Sequence, residues 1–272
     1  TLTEAESAVR ALGLKERNGY FFLSGREEIV ATRARRYRAT EPKLRRAAFA
    51  AKLLRLLPSV RLVAACNSIA LTGADLGGDI DLFVVVAPRT IWVTRLLAVG
   101  ALHLLGLRPT DARHKDTFCM SFFAAEDALD LSRFALAGDD PYLRYWLATL
   151  IPLYDAGGVM DGLFAANRTL LDVLPGVRAV APTRHGARGA SRLLVPLLPI
   201  LRKFESSAKA WQLPRLPADI RERMNADTRI VVNDSVLKFH TNDRRAAFAA
   251  FAAERLAVLD AAPHDHHPST TR

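Results

Sequence analysis

Hydrophobic and polar positions along this chain follow two different periods. Val60 to Ala65 (Val-Arg-Leu-Val-Ala-Ala) is a short apolar run, and Ile80 to Val86 is another, broken only by Asp81. Length and β-branched content predict strands for both, and Phe118 to Ala124 predicts a third. Asn67 to Leu71 predicts a short helix or tight turn, and Ala74 to Gly78 a Gly/Asp loop. Thr90 to Leu107 is a long apolar stretch between Pro88 and Pro109, with Gly106 near its end, and it predicts a helix. Upstream, Thr3 to Leu14 predicts a helix with a Thr3/Glu6 capping box and a stop at Gly13. Asn18-Gly19 is a turn signal, and Tyr20 to Leu23 a short strand closed by Ser24-Gly25. Glu27–Arg38 and Pro42–Leu57 predict two basic helices, the second opening with Pro42 near its first position and ending at Pro58. From Pro141 onward the pattern is mainly helical: Tyr142–Leu150, Gly158–Leu174, Ser191–Lys209 in broken form, and Arg244–Leu259. Arg229 to His240 fits an extended or a partly helical segment equally well.

This order predicts an α+β fold with a small mixed β-sheet packed with helices. Residues 1–57 form an appendage whose helix and hairpin suggest the remains of a winged-helix unit, with packing favoured over DNA binding as its role. Residues 58–135 form the core, 136–262 a mostly helical half that completes a cleft, and 263–272 a polar tail expected to be disordered. The histidines of that tail, His264, His266 and His267, read as solvated. Ile91–Leu107 is interrupted by Arg95 and His103, and Leu193–Leu201 is short and carries Pro196 and Pro199, so no membrane span is expected. Thr1–Arg10 has no apolar secretory core. Cys66 and Cys119, both in apolar surroundings, form no CxxC and point to a reduced, cytoplasmic protein.

The net charge of +10 is unevenly spread. Residues 26–55 hold ten basic and three acidic residues, and residues 178–223 repeat that balance. Residues 56–177 hold nine basic and thirteen acidic residues. An acidic middle between two basic segments suits a cation-binding centre with a basic rim, and the rim could meet RNA. A solvated helix face is the plainer account of each basic run.

The acidic middle contains the most informative segment, Asn67 to Phe83. Asp79 and Asp81 are two residues apart at a strand start, so period-2 geometry puts both carboxylates on one face while Ile80, Leu82 and Val84 point into apolar packing. Two ionised carboxylates so placed repel, and a divalent cation relieves the repulsion. Hard oxygen ligands favour Mg²⁺ or Mn²⁺, which recruit phosphates. Ser68, on the preceding turn, offers a hydroxyl and backbone N–H groups to phosphate oxygens. No Walker loop, GxGxxG, GxSxG or HExxH is present, and Cys66 reads as core.

Val60 to Val86 resembles the signature of the DNA polymerase β-like nucleotidyltransferase superfamily. That signature is an apolar strand, Gly-Ser or Gly-Gly, a spacer of about ten residues, then Asp-apolar-Asp in an apolar strand; here ten residues separate Ser68 from Asp79. Over residues 1–260 the chain also resembles bacterial stand-alone nucleotidyltransferase-domain proteins. The likeness lies in the Gly25-Arg26-Glu27 helix start, the apolar helix after Asp-x-Asp, and Lys115-Asp116 before a strand. Only 60–86 is motif-specific. The resemblance implies a metal-dependent, ATP- or other NTP-binding transferase that moves a nucleoside monophosphate to a hydroxyl acceptor and releases pyrophosphate. It implies Mg²⁺ or Mn²⁺ held by Asp79, Asp81 and a third acid. Asp116 is the candidate for that acid, with Glu126 and Asp127 as alternatives. It implies nucleotide contacts from Asn67, Ser68, Gly78 and Lys115, with Arg113 and His114 as lesser candidates; Ser121 faces either core or site. A small molecule, a tRNA end or a protein side chain would each serve as acceptor. Asn67 stands where the family has glycine. That departure admits a second expectation, a catalytically degenerate protein that binds nucleotide, RNA or a protein partner.

Overall fold

The computed structural model describes residues 1–110, 112–183, 185–188 and 192–260. The expected tail at 263–272 lies outside the described residues. The chain opens with helix α1 (Leu2–Ala11) and a hairpin, β1 (Lys15–Arg17) and β2 (Tyr20–Phe22). The hairpin turns on Asn18 and Gly19, both at positive φ, as a two-residue loop matching the strand twist requires. The α1 cap differs from the one expected: Thr1, not Thr3, accepts from the backbone N–H of Glu4 at 3.3 Å.

Helix α2 runs unbroken from Glu28 to Leu54, in place of the two basic helices expected, with Pro42 inside it. Proline there removes one backbone donor and crowds the carbonyl four residues back. That carbonyl belongs to Arg38, which is exposed, so water can satisfy it. The C-terminal half of α2 buries Ala47, Ala50, Ala51 and Leu54 against the sheet. Small side chains let the helix approach closely and keep it in place after the proline.

A mixed seven-stranded sheet forms the centre. Its members are β3 (Val60–Ala65), β4 (Ile80–Val86), β5 (Phe118–Ala125), β6 (Ile151–Asp155), β7 (Ala187–Arg188), β8 (Ile230–Val232) and β9 (Val236–Phe239), in the order β7-β6-β3-β4-β5-β9-β8. Strand β4 is antiparallel to β3 and parallel to β5. The α+β class with a mixed sheet matches the expectation from the sequence. The second half is mostly helical, as expected, but it also supplies β6 to β9, which extend the sheet on both sides. The segment left open at 229–240 is the hairpin β8–β9.

Period-2 alternation divides the core into two layers. Val63, Ala65, Ile80, Leu82 and Val84 face α2 and helix α4 (Ile91–Leu104), behind which lies α8 (Leu198–Gln212). Leu62, Ala64, Phe83, Val85 and Phe122 face helices α5 (Pro141–Ala148) and α6 (Val159–Ala166). Each fully buried Phe or Leu contributes about 1.5–3 kcal/mol relative to exposure. Helix α4 starts without a side-chain cap of its own, and Glu205 of α8 accepts from the N–H groups of Trp92 and Val93, both at 2.9 Å. A carboxylate at a helix N-terminus satisfies free donors and favours the dipole. Helix α5 has Asp140 as N-cap and Pro141 in its first turn. Buried Arg245, at the start of α10 (Arg245–Asp260), reaches Asp140 at 3.2 Å and the carbonyl of Phe134 at 2.6 Å. This buried pair docks α10 beside α5. Among the described residues, no helix is long and apolar enough to cross a membrane.

Candidate functional site

Strands β4 and β5 are parallel, so their N-terminal ends lie together. The N–H of Ile80 donates to Thr117 O at 2.8 Å, and Asp81 sits opposite Cys119 in the register. The short helix α3 (Asn67–Ala70) follows β3 at this same end, where Cys66 N donates to Asp81 O at 3.2 Å. Three loops therefore converge on the start of β4.

The structure brings Asp79 and Asp81 together as their spacing predicts, and adds Cys119. One ligand atom from each lies within 4.8 Å of the other two, and all three residues are half-buried. Burial pushes the Asp81 carboxyl up from 3.8 to about 6; the charge of Asp79 adds to this, while hydrogen bonds from Asn67 and Cys119 oppose it. Burial, then the charges of Asp81 and Asp79, push the Cys119 thiol up to about 12. Cys119 is thus a protonated donor to Asp81 at neutral pH, not a thiolate. Cys66 is a buried core thiol, as expected, pushed well up by burial.

This donor set fits one divalent cation. Two carboxylates supply hard oxygens, and water or phosphate oxygens complete the shell. A third carboxylate is not part of the cluster among the described residues. The candidate for it, Asp116, is committed elsewhere: its Oδ1 accepts from buried Lys43 Nζ at 2.7 Å. The same ammonium donates to Gly78 O at 2.6 Å, and Asp116 N donates to that oxygen at 3.1 Å. Asp116 and Gly78 therefore anchor the start of β4, and Asp116 lies outside the Asp79–Asp81–Cys119 cluster. Glu126 lies at the far end of β5 and pairs with Arg61 at 3.4 Å; Asp127, beside it, is exposed. Neither alternative reaches the pair.

Asn67 has φ +56°, a left-handed backbone that asparagine tolerates better than most residues. Its Oδ1 accepts from Trp146 Nε1 at 3.1 Å, and its side chain also hydrogen-bonds Asp81. Asn67 thus ties Asp81 to α5. Ser68 is exposed beside it. Lys115 and His114 are exposed on the loop before β5, and Arg113 is spent on the carbonyl of Gly106. None of these three is drawn to the carboxylates.

Several residues around the pair carry no local sequence signal. The register between β4 and β5 shifts after Asp81, so β5 has one extra residue there. The resulting bulge leaves Ser121 beside Cys119, lining a pocket of about 300 Å³ with Tyr142, His240 and Asp243. Burial, then the nearby positive charges of Lys238 and Arg245, push His240 down from 6.5 to about 4, so it is neutral at pH 7. Arg108 donates to Phe118 O at 2.8 Å and feels the charge of Asp79. Arg95 donates to Gln212 Oε1 at 2.7 Å and stacks 5.1 Å above Phe239, while its buried Nε is unpartnered. Neither arginine has a carboxylate within ion-pair distance among the described residues.

Some residues of the two basic segments are engaged within the fold. Arg33 donates to Leu71 O, Thr72 O and Thr72 Oγ1 at 2.6–3.1 Å, holding the loop that leads to Asp79. In the second segment Lys209 pairs with Asp234, Arg223 with Asp219, and Arg215 covers the Trp211 ring. No protein-family model and no curated protein matches the chain.

Proposed function

We propose that this protein is a metal-dependent nucleotidyltransferase that moves a nucleoside monophosphate from an NTP to a hydroxyl acceptor. The observation that carries the reading is the convergence of Asp79 and Asp81 at the N-terminal ends of two parallel strands, at the ten-residue spacing from Ser68. Asp79 and Asp81 would hold Mg²⁺ or Mn²⁺, which when bound neutralises phosphate charge. The acceptor oxygen bonds to the α-phosphorus, and the bond from that phosphorus to its bridging oxygen breaks, its electron pair leaving with pyrophosphate. The hydroxyl proton passes to solvent water in the polar pocket beside neutral His240. Incubation with each α-labelled NTP, Mg²⁺ or Mn²⁺ and cell extract tests this. Label should enter one size class of acceptor, and Asp79→Ala or Asp81→Ala should abolish it without unfolding. No labelling and no NTP binding in the presence of cation would overturn the reading.

A second reading, a nucleotidyltransferase fold that binds without catalysis, is favoured by Cys119 standing where a third carboxylate would complete the cluster. It predicts that Cys119→Asp, or Asn67→Gly, creates turnover that the wild type lacks. Loss of activity in Asn67→Gly would instead show that the Trp146–Asn67–Asp81 chain belongs to a working site.

A further inference from the structure

Asn67, which hydrogen-bonds Asp81, also lines a second cavity of different character. Between α5 and α10 lies a cleft of about 280 Å³, lined almost wholly by apolar surface, with Tyr145, Trp146, Phe248 and Phe251 on its walls and Asn67 on its floor. Tyr142 and Phe248, ring centres 5.5 Å apart, separate it from the polar pocket that holds Cys119, Ser121 and His240, and line both. Tyr145, Phe248 and Phe251 keep about half of their surface exposed (53%, 49% and 54%) although they stand together. A concave cluster of exposed rings next to a candidate site is the usual form of a ligand seat.

The polar atoms at its base are already satisfied. Asn67 Oδ1 is taken by Trp146 Nε1, the Asn67 side chain also serves Asp81, and the Thr149 hydroxyl donates to Tyr145 O at 2.7 Å. A ligand with polar ring edges, such as a nucleobase, would lose hydration there with only the Tyr142 and Tyr145 hydroxyls to replace it. No lining residue is charged, so a nucleic-acid backbone finds no phosphate partner. The chemistry suits an apolar ring system. Asn67 links the floor to Asp81, so the inner end of such a ligand lies against the side chain that hydrogen-bonds Asp81.

Resting on the nucleotidyltransferase reading, we propose that this cleft seats the acceptor, an apolar ring-bearing compound whose hydroxyl points past Asn67 toward Asp81. Small apolar hydroxyl compounds, not tRNA, are then the acceptor class.

The probe is 2-naphthol, titrated calorimetrically into the full chain without nucleotide or metal. It should bind the wild type, and binding should weaken at least about tenfold in Tyr145→Glu and in Phe251→Glu, each of which places a carboxylate at the mouth of an apolar seat. Both positions are exposed, and unchanged circular dichroism would verify the fold. Saturating ATP with Mg²⁺ should leave naphthol affinity unchanged. No binding, or equal binding in the variants, overturns the proposal. Displacement by ATP would make the cleft a base site, and displacement by a short RNA hairpin would make it an RNA site; either overturns it. A parallel titration of ATP with Mg²⁺ against Asp79→Ala reports on the nucleotidyltransferase reading alone, because naphthol binding requires neither partner.

Discussion

Asp81→Asn should make the metal-free protein more stable while abolishing the proposed nucleotidyl transfer. Asp81 holds its proton up to about pH 6 in the fold and releases it near 3.8 when unfolded. Across that window the native state binds the proton more tightly, so native stability falls as pH rises and stays low above about pH 6. The change from 3.8 to about 6 corresponds to about 3 kcal/mol, at ~1.4 kcal/mol per pH unit. Asparagine mimics the protonated acid and carries no charge to desolvate. In urea titrations with EDTA the variant should therefore exceed the wild type by about 2–3 kcal/mol near pH 7.5, and the gap should close near pH 4. Adding millimolar Mg²⁺ or Mn²⁺ should raise the wild type and leave the variant nearly unchanged, because cation binding acts only on a state that holds both carboxylates. Parallel stability curves for the two proteins from pH 4 to pH 8 would refute the reasoning, since Asp81 would then ionise as freely in the fold as in the unfolded chain.

Lys43→Met should cost about 1–3 kcal/mol, read by urea denaturation, because it leaves Gly78 O and Asp116 without their cation while Asp116 keeps access to water. It should also weaken Mg²⁺ binding, since the start of β4 loses its anchor. Arg245→Leu strands the fully buried Asp140 and should cost about 3–5 kcal/mol, measured by chemical denaturation, with α10 released from α5. Asn167→Ala removes a buried amide that bonds Leu131 N, Leu129 O and Leu163 O, and should lower stability by about 2–4 kcal/mol in thermal and urea scans.

Strands β3, β4 and β5 were legible because each is a mostly apolar run, interrupted by a single polar residue and flanked by polar or turn residues. The acid pair was legible for the same reason, since period 2 places Asp79 and Asp81 on one face whatever the rest of the fold. Strand β6 was not: Ile-Pro-Leu-Tyr-Asp is short, and Pro152 demotes it, yet it pairs with β3 through a register shift just where the proline falls. Pro42 misled in the opposite sense, because packing of the alanine face of α2 on the sheet outweighs a local break. The role of Asp116 could not be read from its neighbours. Its position before a strand suits a ligand equally well as a turn, and the residue that decides between them, Lys43, is 73 positions away in a segment that reads as a plain basic helix. His240, Trp146 and Arg108 share this difficulty, for they gather around Cys119, Asn67 and Asp79 only through strand order and helix packing.

The charge arrangement around Asp79 has a consequence for ligand order under the proposed function. The carboxylate pair repels a bare triphosphate, while Arg108, which feels the charge of Asp79, and its neighbour Arg95, each desolvated and lacking a carboxylate partner among the described residues, attract one. A cation at Asp79 and Asp81 removes the repulsion, and a triphosphate removes the cost of two neighbouring guanidiniums. Each ligand therefore improves the site for the other, and linkage makes the effect equal in both directions. Separate titrations should give weak binding of ATP with EDTA and weak binding of Mn²⁺ without nucleotide, while together each tightens by about 5- to 150-fold. Arg108→Gln should reduce that coupling through ATP and leave the binding of Mn²⁺ alone intact or improved, because the variant removes a cation that competes with the metal near Asp79. Equal ATP affinity with and without the cation would break the link between the acid pair and the arginines, and with it the electrostatic basis for placing the phosphates there.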